Sequence, residues 1–466
     1  MTARDRATGP GGPWPRAPRT ERGRLALILA LLTAVTVFTA TVPLLRDWFD
    51  LRVYHGAVQN WLRDGGALYD YRVPGTVYGF TYPPFAAVVM APMALVPLSL
   101  AIALALLLNL AALLAVLRVL TGRAWRRHGW YGCALAACAL ALFEPLRDTV
   151  SFGQVNVVLL ALVLTDLWLL TNAPRAPARW AGIGIGLAAA VKLTPAVFIG
   201  LLLIAGRRRA AAVAGLVAAA ATGLAALVAP GASRFYWTEA LWDTTRVGRL
   251  DYVSNQSLQG LLARLGETGR PAWALAVALV LGVWVWRTRR AVASGDWRAA
   301  FALTGLTACL ISPITWVHHL VWLLPAFAVL VRAGHRGAAA TLYALLCTSV
   351  VWLWFDDASG LDGFLGSNLY TWLTLGLLLW LPTGQSAARS PTRRSATDIT
   401  PAPRQAANAM AATSGHPGPV SGTAAMATGT ASGSRRGRER SASSEPTGFT
   451  RPAASNPQSS SDRASS

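Results

Sequence analysis

Four groups of side chains in this 466-residue chain carry chemistry that their apolar surroundings would normally exclude. Asp47 and Asp50 stand with Arg52 and Tyr54 after one apolar run; Glu144, Arg147, Asp148, Gln154 and Asn156 lie between two more. Lys192, the chain's single lysine, interrupts another run, and His318 and His319 follow Ser312-Pro313. Ionisable groups among apolar segments are costly and mark cavities or pathways. Asp50 has two readings: the N-cap of a following helix, accepting from free backbone N–H groups, or a general base held where an acceptor hydroxyl approaches. Asp47 competes less well for both. The imidazoles of His318 and His319 either snorkel from a helix end or donate to a phosphate leaving group, with Lys192 adding a compact positive charge. Zinc fits poorly, because adjacent histidines project differently and no third ligand stands at a suitable spacing.

Other polar groups keep paired readings. Gln154 and Asn156 open a helix after Gly153, where their amides either orient a sugar or bond across helices. Residues 144–148 are either part of the same face or a solvated turn with a local Arg147 ion pair. Tyr82 precedes Pro83-Pro84, whose rigidity accounts for that turn without a functional role. Trp237, Trp242 and Trp316 read first as aromatic-belt anchors and second as stacking surfaces for sugars.

The elements that must position these groups are membrane helices. With 54% hydrophobic and only 14% charged residues, the chain falls outside ordinary soluble composition. Apolar runs recur between residues 23 and 382, and roughly 20 apolar residues cross a bilayer core. The net charge of +21 sits in short arginine clusters between those runs, which follows the positive-inside rule and argues against nucleic-acid binding. Arginine abundance by itself carries little weight, because nearly every cation in the chain is arginine.

Those clusters set a topology. Arg16, Arg19, Arg22 and Arg24 precede the first run, residues 25–45, placing the N-terminus in the cytoplasm. Residues 46–82 then lie outside and carry an amphipathic helix, with Val53/Tyr54, Ala57/Val58 and Trp61/Leu62 at helical spacing and Asp50 at its start. Residues 84–97 form a short or re-entrant piece before a full helix ending at the cluster Arg118, Arg123, Arg126 and Arg127. The run 182–206 has arginines on both flanks, so it is expected to be a hairpin of two short helices broken at Lys192-Leu193-Thr194-Pro195. Such irregular backbone at membrane depth requires a protein-lined or watery cavity.

The expectation is an all-α polytopic fold with about twelve crossings and three regions: a cytoplasmic arm at 1–22, a membrane module at 23–383, and a tail at 384–466. That tail is rich in Ser, Ala, Thr, Pro, Gly and Arg; it is expected to be disordered and cytoplasmic. Cys133, Cys138, Cys309 and Cys347 all lie in apolar runs, implying neither a disulfide nor a metal framework. The first apolar run lacks a small-residue cleavage pattern and is expected to be retained.

Taken in order, Asp50-Leu-Arg-Val-Tyr54, Leu68-Tyr-Asp-Tyr71, Phe80-Thr-Tyr-Pro-Pro-Phe85, Gly153-Gln-Val-Asn156, Lys192-Leu-Thr-Pro195, Asn255-Gln-Ser257 and Ser312-Pro313 with His318-His319 resemble glycosyltransferase family 87. The resemblance runs from about Asp47 to Pro325. It implies a membrane enzyme of the GT-C architecture that uses a polyprenyl-phosphate sugar, most similar to actinobacterial α-1,2-mannosyltransferases of phosphatidylinositol mannoside and lipomannan synthesis. By motif, Asp50 corresponds to the first-loop aspartate taken as catalytic base, and His318 or His319 to a polar group at the donor phosphate. The resemblance gives no account of the tail.

The chemistry so implied places Lys192, Tyr54 and Arg52 with the histidines at the donor, and Gln154, Asn156, Asn255, Gln256 and Tyr82 around acceptor or sugar. The expected partners are polyprenyl-phosphate mannose, a glycolipid or lipoglycan acceptor, and the bilayer. One carboxylate is enough for inversion, whereas retaining glycosidases need two. Fixed cations can stabilise a phosphate leaving group, so no metal or other cofactor is expected. Arabinofuranosyl transfer from a decaprenyl donor is the rival within the family, since sugar choice rests on a few hydroxyl contacts. A transporter is the rival outside it, but the two halves show no inverted repeat.

Overall fold

The computed structural model describes residues 20–41, 47–266 and 269–384. The expected arm and tail lie almost wholly outside the described residues. Among those described, every extended regular element is helical, and one isolated bridge pairs Arg72 with Gly79.

The chain begins with α1 (Glu21–Thr41), and α2 (Phe49–Leu62) lies in the long loop after it. Next come α3 (Pro84–Met90), a 3₁₀ turn at Ala91–Leu95 and α4 (Leu98–Thr121), which matches the expected short piece and full helix. Then α5 (Arg123–Leu142), kinked at Gly129, meets α6 (Glu144–Phe152) at 77°. The next elements are α7 (Asn156–Asn172), the short α8 (Arg175–Ala178), α9 (Ile183–Val191), α10 (Val197–Ile204) and α11 (Arg208–Val228). A second long loop holds α12 (Pro230–Thr238) and leads to α13 (Leu258–Arg264), α14 (Arg270–Ala293) and α15 (Trp297–Ile311). A 3₁₀ segment at Val317–Leu323 runs into α16 (Leu324–Arg332), followed by α17 (Arg336–Cys347), α18 (Gly360–Ser367) and α19 (Leu369–Trp380).

By length and apolarity α4, α11 and α14 can each cross a membrane. Leu104, Leu107, Leu108 and Leu110 of α4 are exposed, an arrangement suited to lipid as solvent. In contrast α15 is buried on every side from Ala299 to Leu310, as expected of a helix apolar all round at the centre of a bundle. The bent pair Gly129–Leu142 and Glu144–Phe152 qualifies likewise as one broken span, and six further apolar stretches among the described residues are shorter, between 10 and 17 residues.

The break at Lys192 is where the sequence places it, between α9 and a 3₁₀ turn at Thr194–Ala196. Gly182 abuts Ala210 and Gly186 abuts Ala214 and Val217, so α9 advances alongside α11 in the same direction. Because α10 ends at Ile204 and α11 begins at Arg208, α10 must run back against α9. The two arms form a hairpin with Lys192 at its tip. A Cβ at Gly184 would lie 2.2 Å from the Leu162 carbonyl oxygen, and one at Gly186 2.6 Å from that of Ala214. Glycine therefore lets this arm lie between α7 and α11 at backbone contact distance. Asp166 of α7 fastens the arm's start, accepting from the Ile185 N–H at 2.7 Å.

Two apolar clusters result. The larger gathers α7, α10, α15, the 317–323 segment, α16 and α19, while the smaller joins α2, the loop around Leu68, Tyr69 and Phe80, α3 and Tyr236. Val155 and Val191 pack against both clusters. Far from the loops, Arg287 of α14 donates to the carbonyls of Leu378 and Leu381 at the end of α19, satisfying acceptors left free at a helix C-terminus.

Candidate active site

The helix α2 buries an apolar face, with Leu51, Val53, Tyr54, Ala57 and Val58, against the smaller cluster, while Leu62, expected on the same face, is exposed. Its entry is unusual. Asp47 and Trp48 both have φ of 49°, a left-handed conformation that costs non-glycine residues roughly 1–3 kcal/mol where it is imposed by surroundings. The Trp48 N–H donates to the Ser151 carbonyl, and Arg52 donates from Nε to the Asp47 carbonyl at 3.0 Å and from Nη2 to its carboxylate at 2.5 Å. Arg52 is thus an exposed clamp on the turn and does not line the cavity described below, contrary to its expected place at the donor. Asp50 lies inside the first turn, where Trp48 occupies the N-cap without a side-chain bond, so the capping reading of Asp50 is wrong.

The carboxylate of Asp50 is instead held by Gln154. Gln154 Nε2 donates to Asp50 Oδ2 at 2.5 Å; Tyr82 Oη donates to Gln154 Oε1 at 2.6 Å; Tyr54 Oη donates to Tyr82 Oη at 3.0 Å. Every donor in this chain points toward the carboxylate. Gln154 is positioned by its neighbour: Gly153 ends α6 at φ of 74°, and a Cβ there would lie 2.5 Å from the Leu51 Cβ. Only glycine lets α2 rest on the end of α6 at that distance. Burial pushes the Asp50 carboxyl up to about 6, with the Gln154 bond and the Lys192 side chain pulling the other way. Such a group is ionised at neutral pH yet more basic than an exposed aspartate, which suits a general base.

Lys192 faces it from the hairpin tip. Its amine donates to Tyr82 Oη at 3.3 Å and to Asn156 Oδ1 at 3.1 Å, and lies 2.7 Å from His319 Nε2. His319 Nδ1 accepts the Trp316 N–H at 3.1 Å. Asp50, Tyr54, Tyr82, Gln154, Lys192 and His319 all line one cavity of about 380 Å³, within the range of small-molecule sites. Among the described residues no group of three His, Cys, Asp or Glu side chains is placed to hold a metal ion.

The remaining candidates fall elsewhere. His318 is buried against Phe152, and its carbonyl accepts from Asn156 and Thr149; neither histidine snorkels. Asn255 and Gln256, expected to orient a sugar, are fully buried fasteners outside the cavity. Asn255 donates to the Leu250 and Pro313 carbonyls and accepts the Thr315 N–H, while Gln256 binds Val253, Ser367 and Thr371. Glu144 is no solvated turn: it is buried and accepts from Trp352 and Tyr370, each at 2.6 Å. Asn156 lines only a small void behind Lys192 and acts on the site through that amine. Of the three tryptophans, only Trp316 lines the cavity.

The sequence reading missed Tyr78, Tyr236 and Arg246, which close the cavity from the two long loops. Arg246 donates to the Tyr69 carbonyl at 2.6 Å and lies over the Phe235 ring. Its only signal was a position in the second long loop, shared with several other arginines.

The model of glycosyltransferase family 87 matches residues 80–313. A polyprenol-phosphate-mannose-dependent alpha-(1-2)-phosphatidylinositol mannoside mannosyltransferase of Mycobacterium tuberculosis is 33% identical over 394 residues, 76% of this chain and 89% of that one. The protein of the same name from Mycolicibacterium smegmatis is 35% identical over 330 residues, 64% of this chain and 72% of its own. A polyprenol-phosphate-mannose-dependent alpha-(1-2)-phosphatidylinositol pentamannoside mannosyltransferase, also of Mycobacterium tuberculosis, is 32% identical over 417 residues, covering 82% and 92%. No solved structure matches the chain. A carboxylate and an amine across one cavity, in an all-helical membrane protein with relatives of this extent, identify the chain as a membrane glycosyltransferase that belongs to glycosyltransferase family 87.

Proposed function

We propose that this chain transfers mannose from polyprenyl-phosphate mannose to a hydroxyl of a phosphatidylinositol mannoside or related lipoglycan, forming an α-1,2 bond with inversion. The donor and acceptor follow the names of relatives that cover most of both chains. The observation that carries the mechanism is the placement of Asp50, held by Gln154, across one cavity from Lys192 and His319.

In this mechanism the acceptor O–H gives its proton to Asp50 as its oxygen bonds to the anomeric carbon. The bond from that carbon to the phosphate oxygen breaks, and its electron pair leaves with the polyprenyl phosphate. Lys192 and His319 receive the negative charge that develops there, so the step calls for no divalent metal. A β-linked donor thus gives an α product with a single base. Retention would need a second carboxylate about 5 Å away; the other aspartate on the cavity wall, Asp243, is exposed and engaged by Thr245.

The arrangement in the membrane is part of the proposal: a GT-C fold with about twelve crossings, both termini cytoplasmic, and the cavity open to the extracytoplasmic leaflet of the cell membrane. The test incubates membranes containing the protein with labelled polyprenyl-phosphate mannose and phosphatidylinositol mannosides. Transfer is expected to survive chelator and to fall by about 10²–10⁴ in Asp50→Asn. Undiminished transfer in that variant removes Asp50 as the base; transfer only from decaprenyl-phosphate arabinose replaces the sugar. Cysteine labelling at Asp70 from the cytoplasmic side reverses the topology.

A further inference from the structure

The hydrogen bonds around Lys192 fix where its protons are. The amine nitrogen has three polar neighbours: Tyr82 Oη, Asn156 Oδ1 and His319 Nε2. Tyr82 gives its own proton to Gln154 Oε1 and Asn156 Oδ1 is a carbonyl oxygen, so both accept from Lys192. The third contact depends on the histidine. Because His319 Nδ1 accepts the Trp316 N–H, it carries no proton, and in a neutral imidazole the proton is then on Nε2. An Nε2–H donor needs a lone pair opposite it. An amine –NH₂ has two donors and one lone pair, which fills all three contacts; an ammonium –NH₃⁺ offers three donors and leaves two N–H groups facing each other.

We infer that Lys192 is an uncharged amine in the empty cavity and that binding of the polyprenyl-phosphate sugar is coupled to uptake of one proton by this side chain. This rests on the proposed reading of the cavity as a donor site. The physical reason is charge balance. With Asp50 ionised and Lys192 neutral, the empty site is net negative and repels a phosphodiester. Gaining a proton on Lys192 supplies a point cation opposite the phosphate, and the third N–H turns from His319 to a phosphate oxygen. The titratable and charged groups around Lys192 are Asp50 from α2, Tyr82 from the loop before α3, Cys309 from α15, and His319 with His318 beyond it, while Tyr54, Tyr78, Tyr236, Asp243 and Arg246 line the same cavity. Of these, Asp50 and the two imidazoles can also take up a proton when an anion enters, so the experiment must separate them from Lys192.

The experiment titrates the full chain in lipid nanodiscs with polyprenyl-phosphate mannose, a diester that remains a monoanion, by calorimetry near pH 7.5 in PIPES and in Tris. These buffers differ in ionisation enthalpy, and the difference in heat counts protons. Wild type and Asp50→Asn are both expected to take up about one proton per donor, whereas Lys192→Arg, charged throughout, takes up about none. Wild-type affinity is expected to fall about tenfold per pH unit above neutrality, and the arginine variant to show a flat profile. Equal heats in the two buffers for wild type, uptake persisting in Lys192→Arg, or uptake lost in Asp50→Asn each overturns the inference. If Lys192→Arg does not fold, the wild-type heats and pH profile decide the matter unaided. Failure of wild type to bind this donor at all brings down the proposed function itself, a result distinct from binding without proton uptake.

Discussion

Gln154→Met separates a residue that tunes the base from one that touches the sugar. Methionine has about the length of glutamine but no donor, so the variant deletes the 2.5 Å bond to Asp50 Oδ2 while filling the same buried space. Hydrogen bonds to charged groups contribute about 1.5–3 kcal/mol, and about 1.4 kcal/mol corresponds to one pH unit. The carboxyl, already raised to about 6 by burial, therefore rises by about 1–2 units when the bond is lost. A base acts only when ionised, so the limb on which activity rises with pH moves upward by the same amount. At about pH 6.5 roughly three quarters of the wild-type sites are ionised against about a tenth in the variant, giving close to a tenfold deficit that nearly vanishes by about pH 9. The assay is kcat/KM for label transfer across that range. A deficit equal at every pH, with the limb unmoved, would refute the reasoning and return Gln154 to the sugar-orienting role considered from sequence.

Gly153→Ala forces a Cβ to within 2.5 Å of the Leu51 Cβ at a φ of 74°; it should lower stability by about 1–3 kcal/mol in thermal unfolding and reduce transfer at all pH values. Gln256→Leu strands the Ser367 carbonyl and the Thr371 N–H and should cost about 1–3 kcal/mol, with KM for both substrates unchanged in the folded fraction. Asp166→Leu removes the acceptor for the Ile185 N–H at the base of the hairpin; a fall in melting temperature with a raised donor KM is expected, and unchanged values for both would show that the tether does not place Lys192.

The hairpin was legible because charge and length disagreed: arginines on both flanks of residues 182–206 forbid a single crossing. Asp50 was legible as a carboxylate at the head of an amphipathic helix, although its partner was not. What sequence could not separate were residues of one type in similar company. Gln154 and Gln256 are both buried amides within two residues of an asparagine, yet one holds a carboxylate and the other ties loop to helix. That difference lies in partners 104 and 111 positions away. His318 and His319 are consecutive in a 3₁₀ segment, where neighbouring side chains diverge by about 120°, so one faces the cavity and the other Phe152. Arg52 carried a motif but serves the backbone of its own turn. Arg246 had no motif and lay hidden by the chain's arginine bias.

The carboxylate of Asp50 and the imidazole of His319 belong to different halves of the packing. Asp50 is carried by the smaller apolar cluster, while His319 and its segment belong to the larger, and the cavity is the seam between them. Val155 sits between Gln154 and Asn156, Val191 precedes Lys192, and both valines pack against the two clusters. Apolar contacts at the seam therefore set the register of the polar groups beside them. The same seam keeps Asp50 and Lys192 from forming an ion pair: Gln154 occupies the carboxylate, Tyr82 and Asn156 occupy the amine, and no salt bridge joins the two among the described residues. A direct pair would lower the carboxyl by about 1–3 units, turning a base near 6 into an ordinary weak one and holding Lys192 protonated before the donor arrives. Neutral amide and phenol groups between them keep the carboxylate and the uncharged amine apart until the donor arrives.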